Sequence, residues 1–289
     1  MIRFIENQPA IEAIRAKHRT AIANYAICDS MSDFADACET VADHNTGSWG
    51  GGMTNRQAIR ALREGDLSGV ADAEKFMASL KLPEFETAKR RVVSDIVGGV
   101  ADVPSFLCGH PIHMRRSHRM VSDQGALCII AGLTSSGGIN AAEMRKRGCV
   151  ILALVQMLSA IRPVELWVHI GLGGSIRNNR SSSDVCVPIA TAPMDLARAA
   201  HMLTHPAIVR GLGYQYLHNR FQEGGAWNYG DFDLYVKHAR EIYMGVLPHA
   251  SDVLYVPPVI SYQAQIGDPT VWLNKMVRQY GGANNAIEA

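Results

Sequence analysis

LCIIAGLTSSGGINAAEMRKRG, residues 127–148, is the stretch on which the fold turns. It opens as a short apolar run of strand length, breaks into hydroxyls and glycines, and enters a helix. Asn140 followed three residues later by Glu143 has the spacing of a capping box, which starts a helix running through Ile161. After Pro163 comes VELWVHIGLGG (164–174), a second apolar strand. Strand, long helix and strand make a βαβ unit, which closes with a right-handed crossover into a parallel sheet.

Downstream, DVCVPIA (184–190) predicts a third strand and PMDLARAAHML (193–203) a helix with Pro193 near its first turn. HPAIVRGLGYQYLHNRF (205–221) continues as helix, and DVLYVPPVI (252–260) is a late strand. DPTVWLNKMVRQYGG (268–282) closes the chain's pattern as a helix with Asp268 as N-cap, Pro269 at the first position and a glycine stop. Upstream, Ile11, Ile14, Ala21, Ile22, Tyr25, Phe34 and Cys38 recur at roughly helical spacing within residues 8–43. A glycine-rich loop with Trp49 follows at 43–53, then TNRQAIRALREG (54–65) with Thr54 as N-cap and Gly65 as stop. The helical pattern continues through residues 66–82. The expectation is a mainly helical N-terminal region (1–105) and an α/β domain (106–289) built on a doubly wound, mostly parallel sheet.

Composition fits a globular chain: 289 residues with 47% hydrophobic content suffice for a packed core. The six cysteines are scattered, and three lie inside apolar runs, which suits a reducing compartment. No apolar leader segment and no uninterrupted apolar run of about 18 residues is present, so a cytoplasmic protein without membrane contact is expected. The net charge of +1 is unevenly spread: −4 over residues 1–86, +8 over 87–220 and −3 over 221–289. A basic middle segment suits an anionic partner, nucleic acid above all, although solvation of one face explains the same asymmetry.

The loop GLTSSGGIN has the position of a phosphate cradle, a nucleophile turn or a metal site. A Walker loop needs a lysine that is absent here, and the dinucleotide pattern has no match between this strand and helix. GLGGSIRNN (171–179) offers only a loose glycine cluster. SSGG resembles the core of amidase-signature enzymes, but no upstream lysine segment accompanies it, and the Gly-x-Ser-x-Gly elbow is missing.

For the metal option, IIAGLTSSGGINAAEMRKRGCVILALVQMLSAIRPVELWVHI resembles the first βαβ unit of von Willebrand factor A-type domains in hydrophobic pattern and lengths. The resemblance covers roughly residues 120–280. It implies that Thr134 and Ser136, with Ser135 between them, stand where hydroxyl ligands of a divalent cation stand. Gly132 replaces the first acid, and a hard cation needs anionic oxygens. The motif is therefore degenerate, and neither a metal nor a cofactor is expected. A helical leader before such a domain is also similar to uncharacterised bacteriophage proteins, which implies the cytoplasm of an infected bacterium.

CGHPIHMRRSHRM (108–120) places Cys108, His110, His113 and His118 within eleven residues, a ligand set that zinc accepts, though not at an established finger spacing. The alternative is a basic connecting loop in which Arg115, Arg116 and Arg119 contact phosphates. Arg145, Lys146 and Arg147 on the first turns of the central helix, with Arg177 and Arg180 after the second strand, extend that basic set. Aromatic residues at 214–232 favour packing over base stacking. The expectation is a non-enzymatic binding protein for nucleic acid, single-stranded DNA among the candidates, or for a nucleic-acid-processing complex. The alternatives are a protein adaptor or virion component using the α/β rim, and a metal-dependent hydrolase using the Cys/His cluster with an acid such as Asp102 or Asp123.

Overall fold

The computed structural model describes residues 1–4, 21–80, 90–96, 100–119, 125–176, 179–221, 226–228, 243, 245, 247, 252–259 and 266–281. β1 (Ile2–Phe4) and β2 (Ala21–Cys28) come first, followed by α1 (Met31–Cys38), whose first turn is capped by Ser30 accepting the Asp33 amide hydrogen. α2 (Asn55–Glu64) begins in a capping box between Thr54 and Gln57 and stops at Gly65, and α3 (Leu67–Ser79) follows. β3 (Arg90–Asp95), β4 (Val100–Ala101) and β5 (Met114–Arg119), with the short α4 (Val103–Leu107) between the last two, form a small antiparallel sheet in the order β3-β5-β4.

The chain then runs through β6 (Leu127–Gly132), α5 (Ala141–Ser159), β7 (Val164–Ile176) and β8 (Asn179–Ile189). α6 (Leu196–Thr204), a π-helical turn (Ile208–Gly213), α7 (Tyr214–Phe221), β9 (Ala226–Asn228), β10 (Asp252–Val256) and α8 (Pro269–Tyr280) complete it. The main sheet has the order β1-β2-β8-β7-β6-β10, with β9 attached to β7. β10, β6 and β7 are mutually parallel, β8 returns antiparallel to β7, and β2 lies parallel to β8. The fold is mixed α/β.

Every residue of β6 is buried, as a parallel strand covered on both faces requires. Its even pair Cys128 and Ile130 joins Tyr25, Ile27, Trp167 and Cys186 on one face, where Tyr243 and Leu247 cover them. Leu127, Ile129 and Ala131 meet the larger cluster on the other face, built with α1, α2, α5, α6, α7 and α8. α5 is buried nearly all round from Arg147 to Leu158, so it is the core helix rather than a surface one. At Gly148 it touches α6 so closely that a Cβ would lie 2.4 Å from the Leu203 carbonyl oxygen. Among the described residues no helix is long and apolar enough to cross a membrane.

The βαβ unit, the Asn140–Glu143 capping box and the Asp268 cap stand where the spacing predicted them. Of the mainly helical N-terminal region, α1, α2 and α3 are present, residues 8–20 lie outside the described residues, and one stretch departs from the expectation. Residues 21–28 are a strand in the same sheet as the later elements, and β1 pairs beside it. Tyr25 to Cys28 are all buried, and a strand buried on both faces is a continuous apolar run that periodicity cannot separate from a helix. The doubly wound arrangement is also only partly realised: the described α-helices of the core lie over one face, and β7 and β8 form a long antiparallel pair.

Candidate functional site

β6 and β10 end together at one edge of the sheet, β7 runs on beyond them to Ile176, and the loop after β6 lies there. Its hydroxyls serve the fold and do not cap α5; Asn140 does that. The Thr134 hydroxyl donates to the Gly171 carbonyl at 3.1 Å and accepts the Gly171 amide at 2.9 Å, fastening the loop to β7. The Ser135 backbone bonds the Tyr214 hydroxyl through both its amide and its carbonyl, while its own hydroxyl contacts the Met144 sulfur. Ser136 accepts the Gly138 amide and donates its own amide to the Val259 carbonyl. Gly132 leaves no room for the acid of a metal motif: a Cβ there would lie 2.8 Å from Pro258 Cδ and 2.9 Å from the Tyr255 hydroxyl.

Arg210, on the π-helical turn and 2% exposed, joins this loop to the glycine-rich loop. Its guanidinium donates to the Ser136 and Ile139 carbonyls on one side and to the Trp49 carbonyl on the other, and it lies 4.8 Å from the Trp49 ring centroid. One buried cation thus fixes two loops, each hydrogen bond strengthened by the charge. The glycine-rich loop turns through Gly47, Gly51 and Gly52, all at positive φ, where a side chain would be strained.

Between that loop, α3 and α5 opens a cleft of about 470 Å³, within the range of small-ligand sites. Asp66, Asp72, Arg145, Cys149 and His205 are among the residues that line it. His205 stacks on the buried His201 with ring centroids 5.0 Å apart, and His201 Nδ1 faces the Asp66 carboxylate at 3.5 Å. The Ala207 amide donates to His205 Nδ1 at 3.2 Å, so the neutral ring carries its proton on Nε2. Burial, with His201 and Arg145 close by, pushes His205 down to about 4. Burial also lowers His201, against the opposing pull of Asp66.

On the opposite face of the sheet, His169 Nε2 and Asp184 Oδ1 are 2.8 Å apart, and both residues are fully buried. Gly171 makes the space, because a Cβ there would lie 2.5 Å from that carboxylate oxygen. Nearby, Cys186 shares a hydrogen bond of 2.8 Å with the Tyr25 hydroxyl. Burial raises the Cys186 thiol to about 12, which makes it inert as a nucleophile and a packing group.

The predicted basic residues are spread over three elements, β5, α5 and β8. Arg115, Arg116 and Arg119 share β5, and there Arg115 pairs with Asp102 at 2.8 Å. Arg115 and the Ser105 amide hold the Asp102 carboxyl below the usual range. The β3–β5 register sets Arg90 opposite Arg119, Arg91 opposite His118 and Val93 opposite Arg116. On α5, Lys146 is exposed and Arg145 lines the cleft, but Arg147 is buried beneath the sheet edge. Its guanidinium donates to the Val256 and Pro257 carbonyls, and burial lowers it to about 10. Arg180 sits on β8 opposite Ser175; Arg177 and Asp123 lie outside the described residues.

The Cys108 and His110 side chains are exposed; His110 Nδ1 accepts the Ile112 amide, and the His113 ring bonds the His110 carbonyl at 2.9 Å. Among the described residues, no three His, Cys, Asp or Glu side chains are grouped to hold a metal ion. Of the aromatic residues, Tyr216 packs edge-on against Phe34 and Tyr214 anchors Ser135; Tyr229 and Phe232 lie outside the described residues.

The sequence did not single out Arg210, His205, Asp66 and Asp72. Arg210 alone had a local signal, as the one charge inside AIVRGLG, since a cation in an apolar run must find buried partners.

No curated protein and no solved structure matches the chain. A family model described as a domain of unknown function matches residues 8–265, so the chain belongs to that family, DUF7192.

Proposed function

We propose that this is a non-enzymatic nucleic-acid-binding protein whose contact element is the arginine-rich strand pair β3–β5. The observation that carries the reading is the register, which sets Arg90 opposite Arg119. Like charges directly opposite in an antiparallel pair destabilise it unless an anion lies between them. A phosphate backbone supplies that anion, and a two-stranded ribbon fits the width of a duplex major groove. The domain reading that goes with it is a von Willebrand A-like frame without its acid. The parallel β6–α5–β7 crossover and the filled space at Gly132 support that frame.

The test is a binding titration of DNA and RNA across salt concentrations. Affinity should fall steeply with salt, and the Arg116→Ala/Arg119→Ala double variant should lower the logarithmic slope by about 1–2. Absence of salt-sensitive affinity for either nucleic acid in the wild-type chain would remove the reading.

A second reading, a protein adaptor, is favoured by one feature beside the ribbon. α4 carries Val103, Phe106 and Leu107, which are 57%, 59% and 77% exposed, more apolar surface than so short a helix needs for its own packing.

A further inference from the structure

The cleft between the glycine-rich loop, α3 and α5 lies apart from the ribbon in sequence and carries a different chemistry. Its walls hold opposite charges that do not pair with each other. Among the described residues, neither Arg145 on α5 nor Asp72 on α3 has a salt bridge or hydrogen bond from its side chain, although both line the same space. Arg145 is half-buried, where an unmatched guanidinium is costly, and it therefore suits an anionic group brought in from solution. His205 stands beside it with the Cε1–Nε2 edge of its ring facing Gly51, as a Cβ at Gly51 would lie 3.0 Å from His205 Cε1 and 3.3 Å from Nε2. A side chain at 51 would crowd that edge, and glycine avoids it.

The α3 side presents the reverse character. Asp66 and Asp72 are two acids facing the cleft with Gly69 between them, and both accept hydrogen bonds from a cation. With His205 neutral, the lining holds one positive charge against two negative ones. A simple anion such as phosphate satisfies Arg145 but meets both carboxylates; a simple diamine satisfies the carboxylates but leaves Arg145 unmatched. A molecule with a carboxylate at one end and a cationic group at the other answers both walls. The volume of about 470 Å³ accommodates a ligand of amino-acid size with water around it.

We propose that this cleft binds a small basic amino acid of the lysine or arginine type, its carboxylate on Arg145 and His205 and its side-chain cation on Asp66 and Asp72. The Gly51–Gly52 turn, fixed through the Trp49 carbonyl by Arg210, forms the rim of the site.

Titration calorimetry and thermal shift on the full chain test this with L-lysine, L-arginine, cadaverine, L-norleucine, L-glutamate and inorganic phosphate. Lysine or arginine should bind at least tenfold more tightly than cadaverine, which lacks the carboxylate, and than norleucine, which lacks the cation. Arg145→Gln should bring lysine down to the cadaverine level, whereas Asp72→Asn should weaken lysine and cadaverine together. Both positions are at least partly open, so both variants should fold; circular dichroism checks that, and the wild-type ligand series decides alone if one does not. Nucleic-acid affinity should be unchanged in the Asp72 variant, which separates failure here from failure of the ribbon. Three results overturn the proposal: no response to either basic amino acid at 10-millimolar scale, a response unchanged in both variants, or binding of phosphate alone.

Discussion

At the scale of single residues, Arg210 is the group on which the sheet-edge loops depend. Its guanidinium reaches three carbonyls on two loops, those of Trp49, Ser136 and Ile139. Arg210→Met keeps the length and removes the donors, leaving buried carbonyls unsatisfied at a total cost of about 3 kcal/mol. Urea denaturation should show that loss, with the glycine-rich loop becoming sensitive to protease; an unchanged midpoint would mean the clamp is dispensable. Arg210→Lys should recover only part, since one ammonium cannot span both loops in the planar geometry of a guanidinium. The same residue shows what was legible in the sequence at the site. Thr134, Ser135 and Ser136 stood out by type and position, yet their hydroxyls and backbone hold β7, Met144 and Tyr214 in place. Side-chain chemistry is visible in a sequence, but its partner is not. Gly171, Tyr214 and Met144 are 37, 79 and 9 residues from their partners in this loop.

At the scale of elements, the central helix was the most legible feature, because local chemistry determined it: a capping box at its start and a run of apolar residues sized for a buried helix. β2 was illegible for the opposite reason. Ala21, Ile22 and Tyr25 fit a helical stripe, but the pairing of Tyr25 with Asp184 and Ile27 with Cys186 decides the outcome, and those partners lie about 160 positions away. Like charges on β3 and β5 were similarly visible as composition while their register was not. The packing of α5 on α6 yields a direct test. Gly148→Ala would place a Cβ 2.4 Å from the Leu203 carbonyl oxygen and 2.7 Å from its carbon, so backbone must move. Alanine's better helix propensity offsets roughly 1 kcal/mol, and overpacking costs about 1–3. A net loss of about 1–2 kcal/mol in urea denaturation is expected, and a gain would show that the two helices can part at little cost.

At the scale of the whole molecule, the cleft couples stability to pH. His205 has its folded pKa pushed down to about 4 from an ordinary 6.5, by burial first and then by His201 and Arg145, against a smaller opposing effect from Asp66. His201 beside it is lowered too, chiefly by burial. The unfolded chain therefore binds more protons than the folded one between pH 6.5 and 4, and stability must fall as pH drops through that window. Well above pH 6.5 both rings are neutral in either state and the effect fades. Allowing for solvent at the open edge of His205, its share is on the order of 1–2 kcal/mol, a few degrees in Tm for a chain of this size. Acids with lowered pKa, among them Asp33, Asp43 and Asp102, add their own loss only nearer and below pH 4. His205→Asn isolates the histidine contribution, since the amide oxygen can still accept the Ala207 amide but cannot titrate. Its melting temperature should decline less than that of the wild-type chain between pH 6.5 and 4, with the two curves converging above pH 7. Parallel curves across that window would show that His205 gains its proton as readily in the folded chain as in the unfolded one.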